Sequence, residues 1–206
     1  YNELGWGGYW FWDPVENASL MPWLAGTALI HCVSILEKRN TLQSWTVLLS
    51  ILTFALSLIG TFLVRSGILN SVHAFASDPS RGLFILAFLL LVLIVSLFIF
   101  ARKGPSLDKE IKYQILSRET GILVNNWLLL TTLFVVFLGT VYPIFTDIIL
   151  NKNITVGPKY YIFSLTPIIF ILIFSMIITP YLNWSSNNFK TLIQKIYKPI
   201  LLSVIL

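Results

Sequence analysis

Long apolar stretches separated by short polar connectors dominate the pattern of this chain. A transmembrane helix needs roughly 20 predominantly apolar residues, and runs of about that length recur five times before a sixth run is cut short at Leu206. We therefore predict an all-α fold, a polytopic transmembrane helix bundle with about five complete spans and a truncated sixth. The five predicted spans are residues 18–36, 45–64, 83–101, 121–142 and 162–181.

The composition supports a membrane protein and excludes several soluble classes. The chain is 56% hydrophobic and 11% charged, which is too apolar for a soluble domain of 206 residues. Its only cysteine, Cys32, lies in an apolar run, so a disulfide framework, a CxxC pair and a zinc site are all excluded. Because the chain begins at Tyr1 and stops inside an apolar run, we expect it to be an internal piece of a longer protein.

The basic residues indicate topology and not nucleic-acid binding. The net charge is +5, but ten of the 14 Lys and Arg residues fall in alternate connectors, near residues 38–39, 102–118 and 190–198. By the positive-inside rule these connectors face the cytoplasm or an organelle matrix, so residues 1–17, 65–82 and 143–160 face outward. The predicted organisation is a tryptophan-rich region with three spans (residues 1–101), a cytoplasmic loop (102–120) and further spans (121–206).

The most unusual segment is residues 6–17, which read WGGYWFWDPVEN. Asp13 and Pro14 are typical of a helix N-cap followed by a first-turn proline, and Glu16 is favoured in the first turn by the helix dipole. Five rings in seven residues next to two glycines form a surface suited to a large, flat, apolar ligand with polar edges. The alternative is an aromatic belt that anchors the helix at the lipid headgroups.

Residues 6–24 closely resemble the tryptophan-rich WWD signature of haem-handling membrane proteins, in the version of the CcmF family of cytochrome c-type biogenesis proteins. The resemblance is strong over about the first half of the chain and weak from Lys103 onward. Tyr9 departs from the family, which more often has tryptophan there, but a phenol keeps the flat ring face. The further segments that follow in the family's order and spacing are 26–31, 58–67, 71–82 and 83–88.

This resemblance implies haem presentation and covalent ligation of haem to apocytochrome c, with thioether bonds formed to the cysteines of its CxxCH motif. It implies a haem lyase subunit with outward-facing haem-binding loops in the bacterial inner membrane, its motif periplasmic, or in the mitochondrial equivalent. Expected partners are apocytochrome c, a haem chaperone, other maturation subunits and the lipid bilayer, but no nucleic acid. The alternatives are a lyase for a multihaem nitrite reductase and, in another class, a secondary transporter or channel with an aromatic belt.

The two histidines lie at different depths. His73 falls in the outward connector on the same side as the motif, where it is either an iron ligand or a headgroup-level loop residue. His31 lies within an apolar span, where ionisable residues are functional hypotheses by default; the alternative is a neutral histidine bonded to a neighbouring helix. Twelve residues separate His31 from Ser19, which predicts a depth of roughly 18 Å. If both histidines bind haem, they bind different haems.

The family resemblance also implies a set of haem contacts. His73 would ligate the iron of the transiently bound substrate haem, and His31 the iron of a buried haem b. Since the chain has no third histidine, the second axial ligands would lie outside it. Arg65 and Arg81 would pair with haem propionates, with headgroup contact as the alternative. The predicted haem-binding set is Trp6, Tyr9, Trp10, Trp12, Asp13, His31, Arg65, His73 and Arg81.

Overall fold

The computed structural model describes residues 10–68, 78–107, 113–152, 154–186 and 188–205, with side chains up to residue 197. In these ranges the chain forms six α-helices, and the first five are long and apolar enough to cross a membrane. This confirms the predicted all-helical, polytopic architecture. The helices are α1 (Pro14–Arg39), α2 (Gln43–Ser66), α3 (Pro79–Lys103), α4 (Arg118–Leu150), α5 (Pro158–Ile178) and α6 (Phe189–Ile205).

The start of α1 follows from local sequence chemistry. The Asp13 side chain accepts a hydrogen bond from the Val15 amide at 3.0 Å, and Glu16 Oε2 accepts one from the Asp13 amide at 3.1 Å, which completes a capping box. Pro14 occupies the first turn, where no amide hydrogen is needed. The cap predicted at Asp13 is thus confirmed.

Helix α1 is longer than the apolar run predicted, and this changes the depth of His31. The helix begins at Pro14, 17 positions before His31, so the histidine lies about 26 Å along the axis. The predicted 18 Å was an underestimate because polar residues of the first turn belong to the helix. His31 consequently lies in the half of α1 that ends at Arg39.

The bundle is organised around α1, which packs against both α2 and α4, while α3 packs on α2 and α5 on α4. A stripe of buried side chains on α1, mostly small, allows this close approach. At the contact with α2, a Cβ added to Gly60 would come within 2.9 Å of the Ala18 carbonyl oxygen, so only glycine fits there. The buried stripe comprises Ala18, Met21, Ala25, Ala28 and Cys32.

Successive spans run antiparallel, which gives the bundle two distinct ends. The motif end contains the starts of α1, α3 and α5 and the ends of α2 and α4; the basic end contains the opposite termini. Gly82 of α3 lies against Ser66 at the end of α2, and His31 of α1 faces Asn126 near the start of α4. The connectors predicted to share one side of the membrane therefore do share one end of the bundle.

Two predicted connectors differ from the structure. Residues 190–198, predicted as a basic connector, lie within α6. Residues 143–160 were predicted to be an outward loop, but α4 continues through Pro143 to Leu150, and only residues 151–157 separate α4 from α5. Proline removes one backbone hydrogen bond, to the carbonyl four residues earlier, but it is tolerated inside transmembrane helices when neighbouring groups compensate for that loss. The residues after Pro143 are also largely apolar, which favours continuation of the span.

A buried carboxylate joins three segments at the basic end. Glu119, in the first turn of α4, is 1% exposed, and its Oε1 lies 3.0 Å from Arg39 Nε at the end of α1. The backbone amide of Ser185, in the segment after α5, donates to both Glu119 oxygens at 3.0 and 3.1 Å. These contacts tie α1 and the chain after α5 to the start of α4.

Candidate functional site

The tryptophan motif rests on α5 through an aromatic stack. The rings of Trp12 and Tyr161 are parallel within 5°, with centroids 4.7 Å apart. Trp10 meets Trp12 edge to face, with centroids 5.9 Å apart and an interplanar angle of 90°. Both are favoured aromatic geometries. Tyr161 is 1% exposed, whereas Trp10 is 41% exposed, so the stack leads from the core of the bundle to an open ring at the motif end.

Two side chains of the first turn of α1 hold the backbone of the motif. Glu16 Oε2 accepts hydrogen bonds from the amides of Phe11 and Asp13. Asn17 is fully buried, and its Nδ2 donates to the Trp12 carbonyl at 3.1 Å and to the Tyr161 hydroxyl at 3.0 Å. Trp12 has a φ of 59°, a conformation that costs on the order of 1–3 kcal/mol for a bulky residue. The stack and these hydrogen bonds offset that cost.

Gly139 of α4 provides the space that Tyr161 occupies. A Cβ at this position would lie 2.7 Å from the Tyr161 hydroxyl oxygen and 2.7 Å from Tyr160 Cε1. Any larger residue would therefore displace the two tyrosines. The position of Trp12 thus depends on α4 as well as α5.

A cavity lies beside Trp12 at the same end of the bundle. It measures about 270 Å³, and its lining includes Thr140, Asp147 and Tyr161 in addition to Trp12. This volume is slightly below the roughly 300–1,000 Å³ typical of small-molecule pockets. With one face of Trp12 covered by Tyr161, the exposed ring of Trp10 is the more accessible surface for a large flat ligand.

The two arginines predicted to meet propionates lie at the motif end in different settings. Arg65, in the last turn of α2, lines a groove of about 380 Å³ between α1 and α2. Arg81, at the start of α3, is 73% exposed, and its Nε lies 3.1 Å from Asp78 Oδ2. The pairing of these arginines with haem propionates stays a prediction.

Asp78 has a structural role at the start of α3. Its Oδ1 accepts hydrogen bonds from the amides of Ser80 and Arg81, which caps α3. A hydrogen bond from the Ser80 hydroxyl, supported by the Arg81 amide and the Arg81 charge, holds the pKa of Asp78 below its ordinary value. The aspartate is therefore ionised at neutral pH, which favours its pairing with Arg81.

Three predicted haem contacts, Trp6, Tyr9 and His73, lie outside the described residues. The segment 69–77 that contains His73 joins the end of α2 to the start of α3, and both of these termini belong to the motif end. The backbone amide of Asp78 donates to the Arg65 carbonyl at 2.8 Å, which brings the two ends of the segment together. The assignment of Trp6, Tyr9 and His73 to haem binding stays a prediction.

A second polar cluster lies about 26 Å along α1 from its start. His31 Nδ1 is 2.8 Å from Asn126 Oδ1 of α4, and Asn126 Nδ2 donates to Cys32 Sγ at 3.2 Å. Cys32 and Asn126 are buried, while His31 is partly exposed. Cys32 thus lies at the interface of α1 and α4 and accepts a hydrogen bond from the residue that contacts His31.

The donor chemistry at His31 fits a haem iron. Among the described residues no group of three or more His, Cys, Asp and Glu side chains could hold a bare metal ion. A haem iron makes a smaller demand on the protein, because the porphyrin supplies four nitrogens and the chain supplies axial ligands. A partly exposed imidazole with one nitrogen bonded to the protein and the other available meets that demand.

Sequence reasoning missed the residues that position this chemistry. Tyr161 and Gly139 lie far from Trp12 in sequence and are brought to it only by packing of α1, α4 and α5, whereas Asn17 belongs to the motif itself. Asn126 carried a signal, because two consecutive amides, Asn125 and Asn126, interrupt an otherwise apolar span. Polar residues in a membrane span are expensive and are expected to have partners.

A family model described as cytochrome C assembly protein matches residues 1–69. The chain is 48% identical over 206 residues to the cytochrome c-type biogenesis protein CcmF of Pseudomonas aeruginosa, covering 100% of this chain and 31% of that protein. It is 48% identical over 180 residues to the cytochrome c-type biogenesis protein NrfE of Haemophilus influenzae, covering 86% of this chain and 28% of that protein. The chain therefore spans about a third of the length of the curated relatives that it matches.

A solved structure agrees with these sequence matches. The cytochrome c haem lyase CcmF superposes with a TM-score of 0.68 at 27% identity, over 98% of this chain and 28% of that one. The match extends over all the described helices, including those after Lys103, where the sequence resemblance was weak. The chain belongs to the CcmF family of cytochrome c-type biogenesis proteins.

Proposed function

We propose that this chain handles haem at two separate places on α1 and acts in the covalent ligation of haem to apocytochrome c. The observation that carries the proposal is the arrangement of α1, with the Trp10 and Trp12 rings at its start and His31 about 26 Å further along the helix. Two axial ligands of one iron must approach within a few ångström of each other. Residues of the motif end and His31 therefore serve different haems.

At the motif end, the chain presents the substrate haem. The exposed ring of Trp10 offers a flat contact surface, and Trp12, fixed by Tyr161 and Asn17, holds that ring in place. His73 supplies an axial ligand from the segment 69–77, and Arg65 and Arg81 pair with the haem propionates. Fixing haem orientation in this way lowers the entropic barrier for a bound apocytochrome.

The chemistry that the haem supplies is the reactivity of its vinyl groups, to which the CxxCH thiols of apocytochrome c add to form thioether bonds. The residues of this chain orient the ring, protect its iron and leave the reacting thiols to the substrate. Further along α1, His31 would hold a resident haem b. A haem chaperone and other maturation subunits complete the assembly.

Charge distribution supports the orientation in the membrane. The basic end gathers cationic residues from the ends of α1 and α3 and the start of α4. By the positive-inside rule that end faces the cytoplasm, and the tryptophan motif faces the periplasm of a bacterial inner membrane. The residues concerned are Lys38, Arg39, Arg102, Lys103 and Arg118.

A lyase dedicated to a multihaem nitrite reductase is the second candidate. Proteins named CcmF and NrfE match this chain at the same 48% identity, so similarity alone does not choose between a general and a dedicated lyase. Expression of the full-length protein in a strain that lacks only its own lyase separates the two, because a general lyase matures ordinary CxxCH cytochromes.

The direct test compares His31→Gly with His73→Gly in the full-length protein. We expect His31→Gly to lose the haem b Soret band, whereas His73→Gly keeps that band and loses cytochrome c maturation. Added imidazole should restore maturation partly in His73→Gly, where an axial position opens to water, and much less in His31→Gly. Retention of the band in His31→Gly, or its loss in His73→Gly, would contradict the two-site arrangement; a colourless wild-type protein would favour a transporter.

A further inference from the structure

We infer that Asn126 is a positioning residue for the resident haem b proposed at His31, which we call the inner haem. Asn126 fixes His31 in the tautomer whose Nε2 can ligate iron. The inference rests on the proposed function, since it assumes that His31 binds a haem. It adds the ligating atom, the residue that selects this atom and an effect on the iron's redox balance.

The first step follows from the 2.8 Å contact between His31 Nδ1 and Asn126 Oδ1. A carboxamide oxygen only accepts hydrogen bonds, so the proton of this contact belongs to Nδ1. In a neutral imidazole only one nitrogen carries a proton, which leaves the lone pair on Nε2. Nε2 is therefore the atom of His31 that is available to a metal.

The Asn126 amide is held at both of its ends. Its Nδ2 donates to Cys32 Sγ at 3.2 Å, so adjacent residues of α1 hold both ends of one amide from α4. Cys32 is 1% exposed and Asn126 is 4% exposed, so water does not replace these contacts readily. A reversed amide would aim Nδ2 at Nδ1 and place the imidazole proton on Nε2, which could not then ligate iron.

The hydrogen bond to Asn126 also affects an iron bound at Nε2. A hydrogen bond from the distal N–H of a ligating histidine to an oxygen acceptor raises the basicity of the ligand, and partners of this kind typically change metal affinity by about 10- to 100-fold. A more basic imidazole favours ferric over ferrous iron. Asn126 thus lowers the reduction potential of the inner haem as well as strengthening its binding.

The experiment measures the midpoint potential and the haem dissociation rate of the purified full-length protein. The variants are Asn126→Leu, which removes the acceptor, and Asn126→Asp, which supplies a stronger one. Asn125→Leu is the matched control, because Asn125 is the neighbouring buried amide and its Oδ1 has no hydrogen-bond partner among the described residues. Cys32→Ala keeps the acceptor but removes the partner that orients it.

We expect Asn126→Leu to raise the potential by about 59 mV, a tenfold change in the ferric-to-ferrous preference of a one-electron couple, and to release haem about tenfold faster. Asn126→Asp should shift the potential in the opposite direction, and Cys32→Ala should raise it by less than Asn126→Leu. If Asn126→Leu fails to fold, the opposite shifts of the other two variants carry the test.

Two results would overturn the inference and are distinguishable. If His31→Gly loses the inner haem but the Asn126 and Cys32 variants keep the potential of Asn125→Leu, the proposed function stands and the role of Asn126 falls. If His31→Gly keeps its haem, both fall together.

Discussion

The motif end of α1 and the region around His31 are held in place by different kinds of contact. Around Trp12 the ring stacks on Tyr161 of α5, and Asn17 adds hydrogen bonds to the Trp12 carbonyl and the Tyr161 hydroxyl. Around His31 the contacts are the two hydrogen bonds of one amide on α4, in which Asn126 Oδ1 accepts from His31 Nδ1 and Asn126 Nδ2 donates to Cys32 Sγ. Ring stacking tolerates some sliding and suits a ligand that arrives and leaves, whereas directional hydrogen bonds fix one atom and suit a resident cofactor.

The largest effect on cytochrome c maturation is expected from removing the aromatic rings of the motif end, which should leave the region around His31 unchanged. Replacing Trp10 and Trp12 together by Leu keeps apolar anchoring but removes two aromatic contacts, each worth about 0.5–1.5 kcal/mol. Cytochrome c yield should fall about tenfold or more, while the Soret band of the inner haem persists. The measurement is cytochrome c yield and haem content in the same membranes. Normal maturation would support the aromatic-belt interpretation.

The next effect tests whether α4 supports the motif through Gly139. In Gly139→Val the new side chain would overlap Tyr161, and overpacking of this kind typically costs about 1–3 kcal/mol. We expect a lower thermal midpoint and reduced maturation, with the potential of the inner haem unchanged. Gly26→Ala is the control, since a Cβ there meets only Thr53 Cγ2 at an ordinary 3.6 Å. Equal behaviour of the two variants would show that the close approach at Gly139 is unimportant.

The smallest effect distinguishes the ring of Tyr161 from its hydroxyl. Tyr161→Phe keeps the stack on Trp12 and loses the contact with Asn17, a hydrogen bond worth about 0.5–1.5 kcal/mol. Tyr161→Leu loses both. Maturation should be nearly normal in the Phe variant and clearly reduced in the Leu variant, in assays of cytochrome c yield at equal protein level. A defect of the same size in both would assign the role to the hydroxyl.

The contrast between the regions also explains how far the sequence could be interpreted. Five spans and the Asp13 cap follow from local patterns, because lipid requires apolar helices and helix termini require caps. The extension of α4 past Pro143 was missed because proline usually ends a helix in soluble proteins.

The residues that support the candidate sites could not be predicted in the same way. Tyr161 is separated from Asn17 by 144 positions, and Asn126 from His31 by 95. Nothing local tells which residue of one span faces which residue of another. That information depends on how antiparallel helices align, and only the packed bundle provides it.

The Glu119 junction has a consequence for this alignment. Arg39 follows His31 by eight positions on α1, and Glu119 precedes Asn126 by seven on α4. The Arg39–Glu119 ion pair and the His31–Asn126 hydrogen bond therefore connect the two antiparallel helices at two levels, which lie about 11–12 Å apart along the helix axes. A slip of one helix against the other by one turn, about 5.4 Å, would break both contacts together. The two contacts therefore fix the position of α1 along α4, and with it the distance of His31 from the membrane surface. An insertion of one residue between the two contacts would rotate His31, if made in α1, or Asn126, if made in α4, by about 100° and separate the imidazole from its amide.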